Sequence, residues 1–158
     1  MITVWRIAKT RYANAAFDGE GARLNAGRWN SAGVRVAYAS ESVALATLEV
    51  LVGLHKSSLL AFYSLVSAEI DEATIETLPK AALPRNWRSY PPAPETQAIG
   101  DQWVLAQRSL VLKVPSAVIE AESNYLLNPA HPDFGTIRIS APRPYAFDAR
   151  LIAAPGSP

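Results

Sequence analysis

Glu49 is the residue whose surroundings most strongly indicate a chemical role. It is the only charged residue between Val43 and Leu54, in a segment whose apolar residues recur at helical spacing. A carboxylate buried without a partner costs several kcal/mol, so this one must be exposed, paired or functional. A position on a narrow solvent stripe with Ser42 explains the pattern as well as a catalytic role does.

Arg28 is the second candidate, because it stands between Gly27 and Trp29 in a loop that precedes a predicted strand. The planar fork of a guanidinium fits phosphate or carboxylate groups, and a neighbouring aromatic side chain can stack on a base or ring. An arginine that packs on tryptophan and donates to a loop carbonyl is an equally ordinary structural explanation.

A third group of candidates consists of Ser123, Asn124 and Tyr38. Ser123 and Asn124 belong to a dense polar cluster, residues 122–129, whose apolar members would fix it against the core. For Ser and Asn near proline, a turn that satisfies its own backbone is the default interpretation. Tyr38 falls on the apolar side of a predicted strand, where a core tyrosine with a satisfied hydroxyl is the ordinary explanation.

The elements that would position these side chains are short and irregularly ordered. Alternating patterns and Val, Ile and Tyr content predict strands over 4–7, 34–38, 58–70, 111–114, 117–120, 137–139 and 145–147. Helical spacing predicts one helix over 43–54, capped by Ser40 or Ser42, and a second that opens at Gly100 with Asp101 as its cap. This mixture predicts an α+β fold with a mixed, mostly antiparallel sheet.

Three stretches are predicted to lie outside regular structure. Residues 8–30 read as a long loop with short ordered pieces, and residues 124–128 as a single turn at most, because Pro129 and Pro132 follow. Five prolines fall between positions 79 and 94, which predicts a surface excursion over 79–100 that lies away from the chemistry. Residues 151–158 are predicted to form a frayed tail.

Composition narrows the function classes. A chain of 158 residues with 49% hydrophobic and 18% charged residues predicts a single domain, residues 1–158, with a real core. Because 15 basic and 14 acidic side chains leave a net charge of +1, a dedicated nucleic-acid binder is not expected. With no cysteine and two histidines, neither a disulfide nor a metal site is expected.

Other familiar sites lack support. The chain has no phosphate-binding Gly-Lys-Ser or Gly-Lys-Thr, and Gly19-Glu20-Gly21 does not continue into a dinucleotide fingerprint. Nothing in the sequence brings Ser123 together with His55 and Asp101 as a hydrolytic triad. The first residues do not resemble a signal peptide and no stretch is long enough to span a membrane, so we expect a soluble cytoplasmic protein.

Taken in chain order, the three candidates resemble the RES-domain toxins of bacterial toxin-antitoxin pairs. That family is named for an arginine, a glutamate and a serine, which here are similar to Arg28 in Gly-Arg-Trp-Asn, Glu49 in Ala-Thr-Leu-Glu-Val and Ser123 in Glu-Ser-Asn-Tyr-Leu-Leu-Asn-Pro. The segment Val-Ala-Tyr-Ala-Ser around Tyr38 resembles the tyrosine-bearing strand of the family. The resemblance covers about residues 4–150.

The resemblance implies a fold similar to that of the ADP-ribosyltransferases and an activity that consumes NAD as a substrate, with no separate cofactor. An NAD glycohydrolase or NAD phosphorylase would pass ADP-ribose to water or phosphate, whereas a mono-ADP-ribosyltransferase would pass it to a protein. Also implied are an antitoxin of the Xre helix-turn-helix type that blocks the site, and a toxin homodimer within the complex. A catalytically silent module that binds a nucleotide or a protein is the alternative from another class.

The resemblance assigns catalysis to Arg28, Glu49 and Ser123, and substrate binding to Arg28, Tyr38, Ser123 and Asn124. The chemistry of NAD fits one carboxylate, because nicotinamide leaves as a neutral molecule and needs no general acid, unlike the leaving oxygen in ordinary glycoside hydrolysis. Glu49 would hold the ribose hydroxyls and stabilise the developing positive charge. Arg28 would bind the pyrophosphate, and His55 would be an accessory polar group in a transferase.

Overall fold

The computed structural model describes residues 1–54 and 61–152, and an eight-stranded sheet forms its centre. The strands are β1 (Ile2–Lys9), β2 (Ala37–Ser40), β3 (Tyr63–Ile70), β4 (Ile75–Thr77), β5 (Val111–Pro115), β6 (Ser123–Leu127), β7 (Arg138–Ile139) and β8 (Arg143–Tyr145). Their order is β4-β5-β6-β2-β1-β3-β7, with β8 also paired to β3. β4 and β5 run parallel and the other described pairs run antiparallel, which confirms the predicted α+β class and mixed, mostly antiparallel sheet.

Helices cover the sheet and connect its strands. They are α1 (Glu20–Leu24), α2 (Val43–Leu51), α3 (Pro94–Ala106) and α4 (Ala149–Ile152), with short 3-10 turns elsewhere. α2 begins where predicted, because the Ser42 hydroxyl accepts a hydrogen bond from the Leu45 amide at 3.0 Å. Its Ala46 packs in a buried cluster with Ile7 of β1, so this helix lies against the strand that carries Arg6.

The apolar core lies on both faces of the sheet. Leu126 and Leu127 are fully buried neighbours on β6, and they belong to different core clusters. Successive side chains of a strand point to opposite faces, so β6 is buried on both sides. Asn124 therefore shares a face with Leu126, whereas Ser123 shares the other face with Leu127.

The prediction of a turn over 124–128 is wrong, because residues 124–127 belong to β6, an interior strand of the sheet. It pairs with β2 on one side and β5 on the other. Pro129 and Pro132 follow the strand instead of interrupting it, so they restrict only the chain beyond its end. Pairing on both sides decides the conformation, and one of the two partners, β2, lies more than 80 residues earlier in the chain.

The start of the second helix is also predicted wrongly. α3 begins at Pro94, which suits the first helical position because proline has no amide hydrogen to satisfy there. Asp101 is therefore inside the helix and does not cap it. Its carboxylate instead accepts hydrogen bonds from the Ser31 amide at 2.9 Å and the Ser31 hydroxyl at 2.6 Å.

Smaller differences concern the ends of elements and one missing strand. Residues 117–120 form a turn, because the Ser116 hydroxyl accepts hydrogen bonds from the Val118 and Ile119 amides at 3.1 and 3.0 Å. The predicted strand 34–38 begins at Ala37, and the predicted helix 43–54 ends at Leu51. The strand predicted over 58–70 begins at Tyr63 in the described part, and residues 58–60 lie outside the described residues.

The expectation that the proline-rich stretch lies away from the chemistry is contradicted. Trp87 is only 9% exposed and its ring stacks on Trp29, with 6.2 Å between the ring centroids. A buried aromatic side chain holds this stretch against the loop of Arg28. The domain limits 1–158 stay a prediction, and of the expected tail 151–158 the first two residues belong to α4 while 153–158 lie outside the described residues.

No helix in the described ranges is long and apolar enough to cross a membrane.

Candidate active site

The carboxylate of Glu49 is held by two hydrogen-bond donors. Its Oε1 accepts from the Asn124 side-chain amide at 2.5 Å and from the Ser116 hydroxyl at 2.8 Å. Asn124 has its amide oriented by Ser40, whose hydroxyl donates to Asn124 Oδ1 at 2.8 Å. With Oδ1 engaged in this way, Nδ2 faces the carboxylate. Glu49 is thus a half-buried, paired residue and does not lie on a solvent stripe.

A cleft of about 290 Å³ opens beside this carboxylate, where β1 and β2 diverge. The two strands share one backbone register pair, Trp5 with Ser40. Beyond it, Arg6 Nη1 donates to the Tyr38 carbonyl at 2.7 Å, so a side chain replaces the next backbone pairing. The polar side chains that line the cleft are Arg6, Tyr38, Ser40, Glu49 and Asn124.

Arg6 brings a buried positive charge to the cleft. Burial is the main influence on its guanidinium and lowers its pKa, while Tyr38 and Asp18 act in the opposite direction. Its Nε is buried and has no hydrogen-bond partner among the described residues. A buried donor without a partner is unfavourable unless a ligand or water satisfies it, so this atom indicates a binding site.

Arg28 is anchored by the proline-rich stretch. Its Nη1 donates to the carbonyl oxygens of Trp87 at 2.7 Å and Ser89 at 2.8 Å. Burial lowers the pKa of Arg28, and the negative charge of Glu49 partly offsets that effect. One nitrogen of the guanidinium is therefore committed to structure, and the Arg28 side chain lies within electrostatic range of the carboxylate.

The Tyr38 hydroxyl holds the Arg28 loop. It donates to Asn30 Oδ1 at 2.6 Å and accepts from the Trp29 amide at 3.1 Å. Burial raises the pKa of Tyr38, so this phenol stays a neutral donor. A Cβ at Gly27 would lie 2.7 Å from both the Tyr38 hydroxyl and Asn30 Oδ1, which explains the glycine there. The Tyr38 side chain also borders the cleft.

Asn30 is the hub of the same loop and was missed by sequence reasoning. Fully buried, it donates from Nδ2 to the Ala22 carbonyl at 2.8 Å and the Ser31 carbonyl at 3.1 Å. Its Oδ1 accepts from the Gly27 amide at 3.1 Å as well as from Tyr38. Satisfied polar networks of this kind rigidify a loop, and here the loop is the one that carries Arg28.

The predicted site residues do not all meet at the cleft. Tyr38, Glu49 and Asn124 line it, and Arg28 lies near. Ser123 does not line the cleft and instead borders a separate groove with Lys113 and Trp87. The serine that contacts Glu49 is the fully buried Ser116. His55 lies outside the described residues.

Two further site residues were not predicted from the sequence. The pattern around Arg6 could have indicated it, whereas the pattern around Ser116 could not. Arg6 stands alone among apolar residues in a strand, just as Glu49 stands alone in a helix. Ser116 follows a proline in a predicted loop, where serine is ordinary. The described residues contain no group of three or more acidic, histidine or cysteine side chains that could hold a metal ion.

Comparisons with known proteins identify the family of this chain. A family model described as the RES domain matches residues 3–148. The chain belongs to the RES family. A protein named Toxin Res, from Yersinia enterocolitica serotype O:8 / biotype 1B, is 41% identical over 149 residues, which are 94% of this chain and 98% of that protein.

A second relative and a solved structure extend the comparison for this RES chain. A Sphingobium protein (strain YBL2) named Prs ADP-ribosylating toxin is 38% identical over 153 residues, which cover 94% of this chain and 95% of that protein. The crystal structure of the M. tuberculosis MbcT-MbcA toxin-antitoxin complex contains a chain with a TM-score of 0.73 at 19% identity. The match covers 91% of this chain and 84% of that chain. At this identity the likeness shows a shared fold.

Proposed function

We propose that this RES-family toxin breaks the bond between nicotinamide and ribose in NAD and passes ADP-ribose to water or phosphate. The observation that carries the proposal is the Glu49 carboxylate, held through Oε1 by Ser116 and Asn124 inside a cleft that also contains a buried arginine. A fixed carboxylate beside a cleft fits a reaction whose transition state gains positive charge.

The proposed reaction does not need a general acid to protonate the leaving group. As the bond from the ribose anomeric carbon to the pyridine nitrogen breaks, nicotinamide leaves with the electron pair and becomes neutral. The acceptor oxygen then bonds to the anomeric carbon and releases a proton to solvent. The two hydrogen bonds that the Glu49 carboxylate accepts from described residues both end on Oε1, so Oε2 is the oxygen that would meet the ribose hydroxyls.

Two arginines supply the positive charge for the pyrophosphate. Arg6 offers a buried Nε that has no partner within the described ranges, and Arg28 lies within electrostatic range of Glu49 and Tyr38. Guanidinium groups bind phosphate oxygens through charge-assisted hydrogen bonds. We assign Tyr38 to packing on the nicotinamide ribose and Asn124 to holding Glu49. The role that the family resemblance gives to Ser123 stays a prediction, because its side chain faces away from the cleft.

The direct test is incubation of the purified protein with NAD while nicotinamide is measured, with and without inorganic phosphate. We expect nicotinamide release, with free ADP-ribose or its phosphate as the second product. A folded preparation that leaves NAD intact under both conditions would rule the proposal out.

A second candidate is transfer of ADP-ribose to a protein, which the name of the Sphingobium relative favours. NAD labelled in the adenosine portion separates the two. Label that appears on protein in a cell extract supports transfer, whereas label found only as free ADP-ribose or its phosphate supports NAD breakdown.

We also propose an antitoxin partner of the Xre helix-turn-helix type, and a toxin homodimer within the complex. The solved relative was crystallised as a toxin-antitoxin complex, and an enzyme that consumes NAD would harm its own cell if unchecked. Expression of the chain alone should arrest growth, and co-expression of the neighbouring open reading frame should relieve the arrest. If the chain is expressed alone in active form and growth continues normally, the toxin role is contradicted.

A further inference from the structure

A second cavity of about 410 Å³ shares one lining residue, Arg6, with the Glu49 cleft. The second cavity lies against the end of β1 and the loop before α1. The residues that line it include the polar residues Arg6, Lys9, Asp18 and Asn25 and the exposed residues Tyr12 and Leu24. Two cavities that are both lined by the same arginine match a ligand with two separate lobes and a negatively charged bridge.

The rim of the second cavity carries apolar surface that the fold leaves uncovered. Tyr12 is 59% exposed and Leu24 is 61% exposed, although both are large hydrophobic residues. Arg11 lies over the Tyr12 ring at 4.7 Å from its centroid. Exposed aromatic and aliphatic side chains at the mouth of a cavity favour a flat, weakly polar group such as a purine base.

Two carboxylates line the second cavity, and they differ in whether a basic side chain pairs with them. Glu20 is neutralised, since it accepts from Arg23 at 2.8 Å and lies 2.9 Å from a nitrogen of Arg35. Asp18 has no ion pair with any described residue, and its carboxylate accepts one hydrogen bond from the described residues, from the Glu20 amide at 2.8 Å through Oδ1. A carboxylate with acceptor capacity to spare therefore faces the cavity beside Arg6.

We propose that the second cavity binds the adenosine half of NAD, and that Asp18 accepts a hydrogen bond from the 2′-hydroxyl of its ribose. This proposal rests on the proposed function, because it assigns the far end of the same substrate. In NADP that hydroxyl carries a phosphate, which has no proton to donate and is repelled by the carboxylate. The enzyme should accordingly discriminate against NADP, and Asp18 is the residue that determines this specificity.

The test compares binding of ADP and of ADP with a 2′-phosphate, measured by calorimetry so that no turnover is needed. We expect the wild type to bind ADP at least about tenfold more tightly, since a charge-assisted hydrogen bond is replaced by repulsion. Asp18→Asn should reduce this preference about tenfold, because asparagine keeps the turn but loses the charge. Lys9 would then attract the phosphate without opposition.

Asp71→Asn is the matched control, because Asp71 Oδ1 accepts from the Ala73 amide at 3.0 Å in the same kind of turn. Asp71 does not line either cavity. The Asp71 variant should keep the wild-type preference. Equal binding of the two nucleotides by the wild type, or an unchanged preference in Asp18→Asn, would overturn the proposal.

Failure of the proposed function gives a different result. If NAD stays intact but ADP binds with a preference that Asp18→Asn removes, the cavity assignment stands and the enzyme does not break NAD. If NAD is consumed but ADP does not bind, the catalytic proposal stands and the adenosine portion lies elsewhere.

Discussion

At the scale of single residues, the site depends on side chains that fix other side chains. Glu49 receives its two hydrogen bonds from Ser116 and Asn124, which are 67 and 75 positions away in the sequence. Sequence reasoning identified Glu49. Arg6 could have been found by the same argument, because each is a charged residue with apolar neighbours on both sides within a regular element. The contact between Ser116 and Glu49 depends on how two distant segments pack together, so no local sequence pattern predicts it.

We predict different effects on catalysis for alanine substitutions of Ser116 and Ser123. Ser116→Ala removes a donor from Glu49 and leaves the Val118 and Ile119 amides without their acceptor. We expect a fall of about 1–3 kcal/mol in the free energy of unfolding and about a tenfold fall in kcat for nicotinamide release per folded molecule. Ser123→Ala should change kcat less than twofold, because its side chain faces the other groove.

Denaturant unfolding and initial rates on the same preparations measure both quantities. If Ser123→Ala loses more kcat than Ser116→Ala, the serine of the family resemblance acts in the reaction in spite of its orientation here, and the assignment to Ser116 is wrong.

Arg28→Lys separates charge from geometry. Lysine keeps the positive charge but has no fork, so it cannot bind two phosphate oxygens and still contact the Trp87 and Ser89 carbonyls. We expect the NAD concentration for half-maximal rate to rise about tenfold or more. Because Arg28 also anchors the proline-rich stretch, the melting temperature should fall by a few degrees.

The decisive comparison for Arg28 is the NAD dependence of the molecules that remain folded. A normal NAD dependence together with a lower melting temperature would make Arg28 a purely structural residue.

At the scale of elements, the site is a gap between two strands. β1 and β2 pair at Trp5 and Ser40, and the Arg6 guanidinium occupies the place of the next pairing. The helix α2, which carries Glu49, could be predicted from its apolar period and its Ser42 cap. The strand β6 could not, because its conformation is imposed by β2 and β5 and contradicts the local proline signal.

The packing of α3 on the Arg28 loop gives a prediction at this scale. A Cβ at Gly100 would lie 1.7 Å from the Trp29 carbonyl oxygen, so Gly100→Ala cannot fit without moving the helix away from the loop. We expect a loss of about 2 kcal/mol or more in the free energy of unfolding, as for other overpacked sites.

Gly21→Ala is the control, because a Cβ at this position in α1 meets no atom of the described residues within 4 Å. Alanine favours a helix more than glycine does, so this variant should be as stable as the wild type or more stable. Equal stabilities for the Gly100 and Gly21 variants would show that α3 does not pack on Trp29 as described.

At the scale of the whole molecule, a net charge of +1 hides a concentration of positive charge at the site. Arg6 and Arg28 both lie near Tyr38, and burial lowers the pKa of each. A cleft concentrates the local field, so a nearly neutral protein can still attract a dinucleotide. The composition predicted that the protein is not a dedicated nucleic-acid binder, but only the fold shows that two arginines 22 residues apart in sequence lie near the same tyrosine.

Catalysis by Glu49 is tested by measuring nicotinamide release from NAD by Glu49→Gln. Glutamine keeps the shape of the side chain and can still accept from Ser116 and Asn124, but it removes the negative charge that stabilises the transition state. Glu41→Gln, an exposed position just before α2, is the matched control and should retain wild-type activity. We predict that Glu49→Gln stays folded, still binds NAD, and releases nicotinamide at least about a hundredfold more slowly than wild type. Release at the wild-type rate by folded Glu49→Gln would contradict the assignment of Glu49 as the catalytic carboxylate.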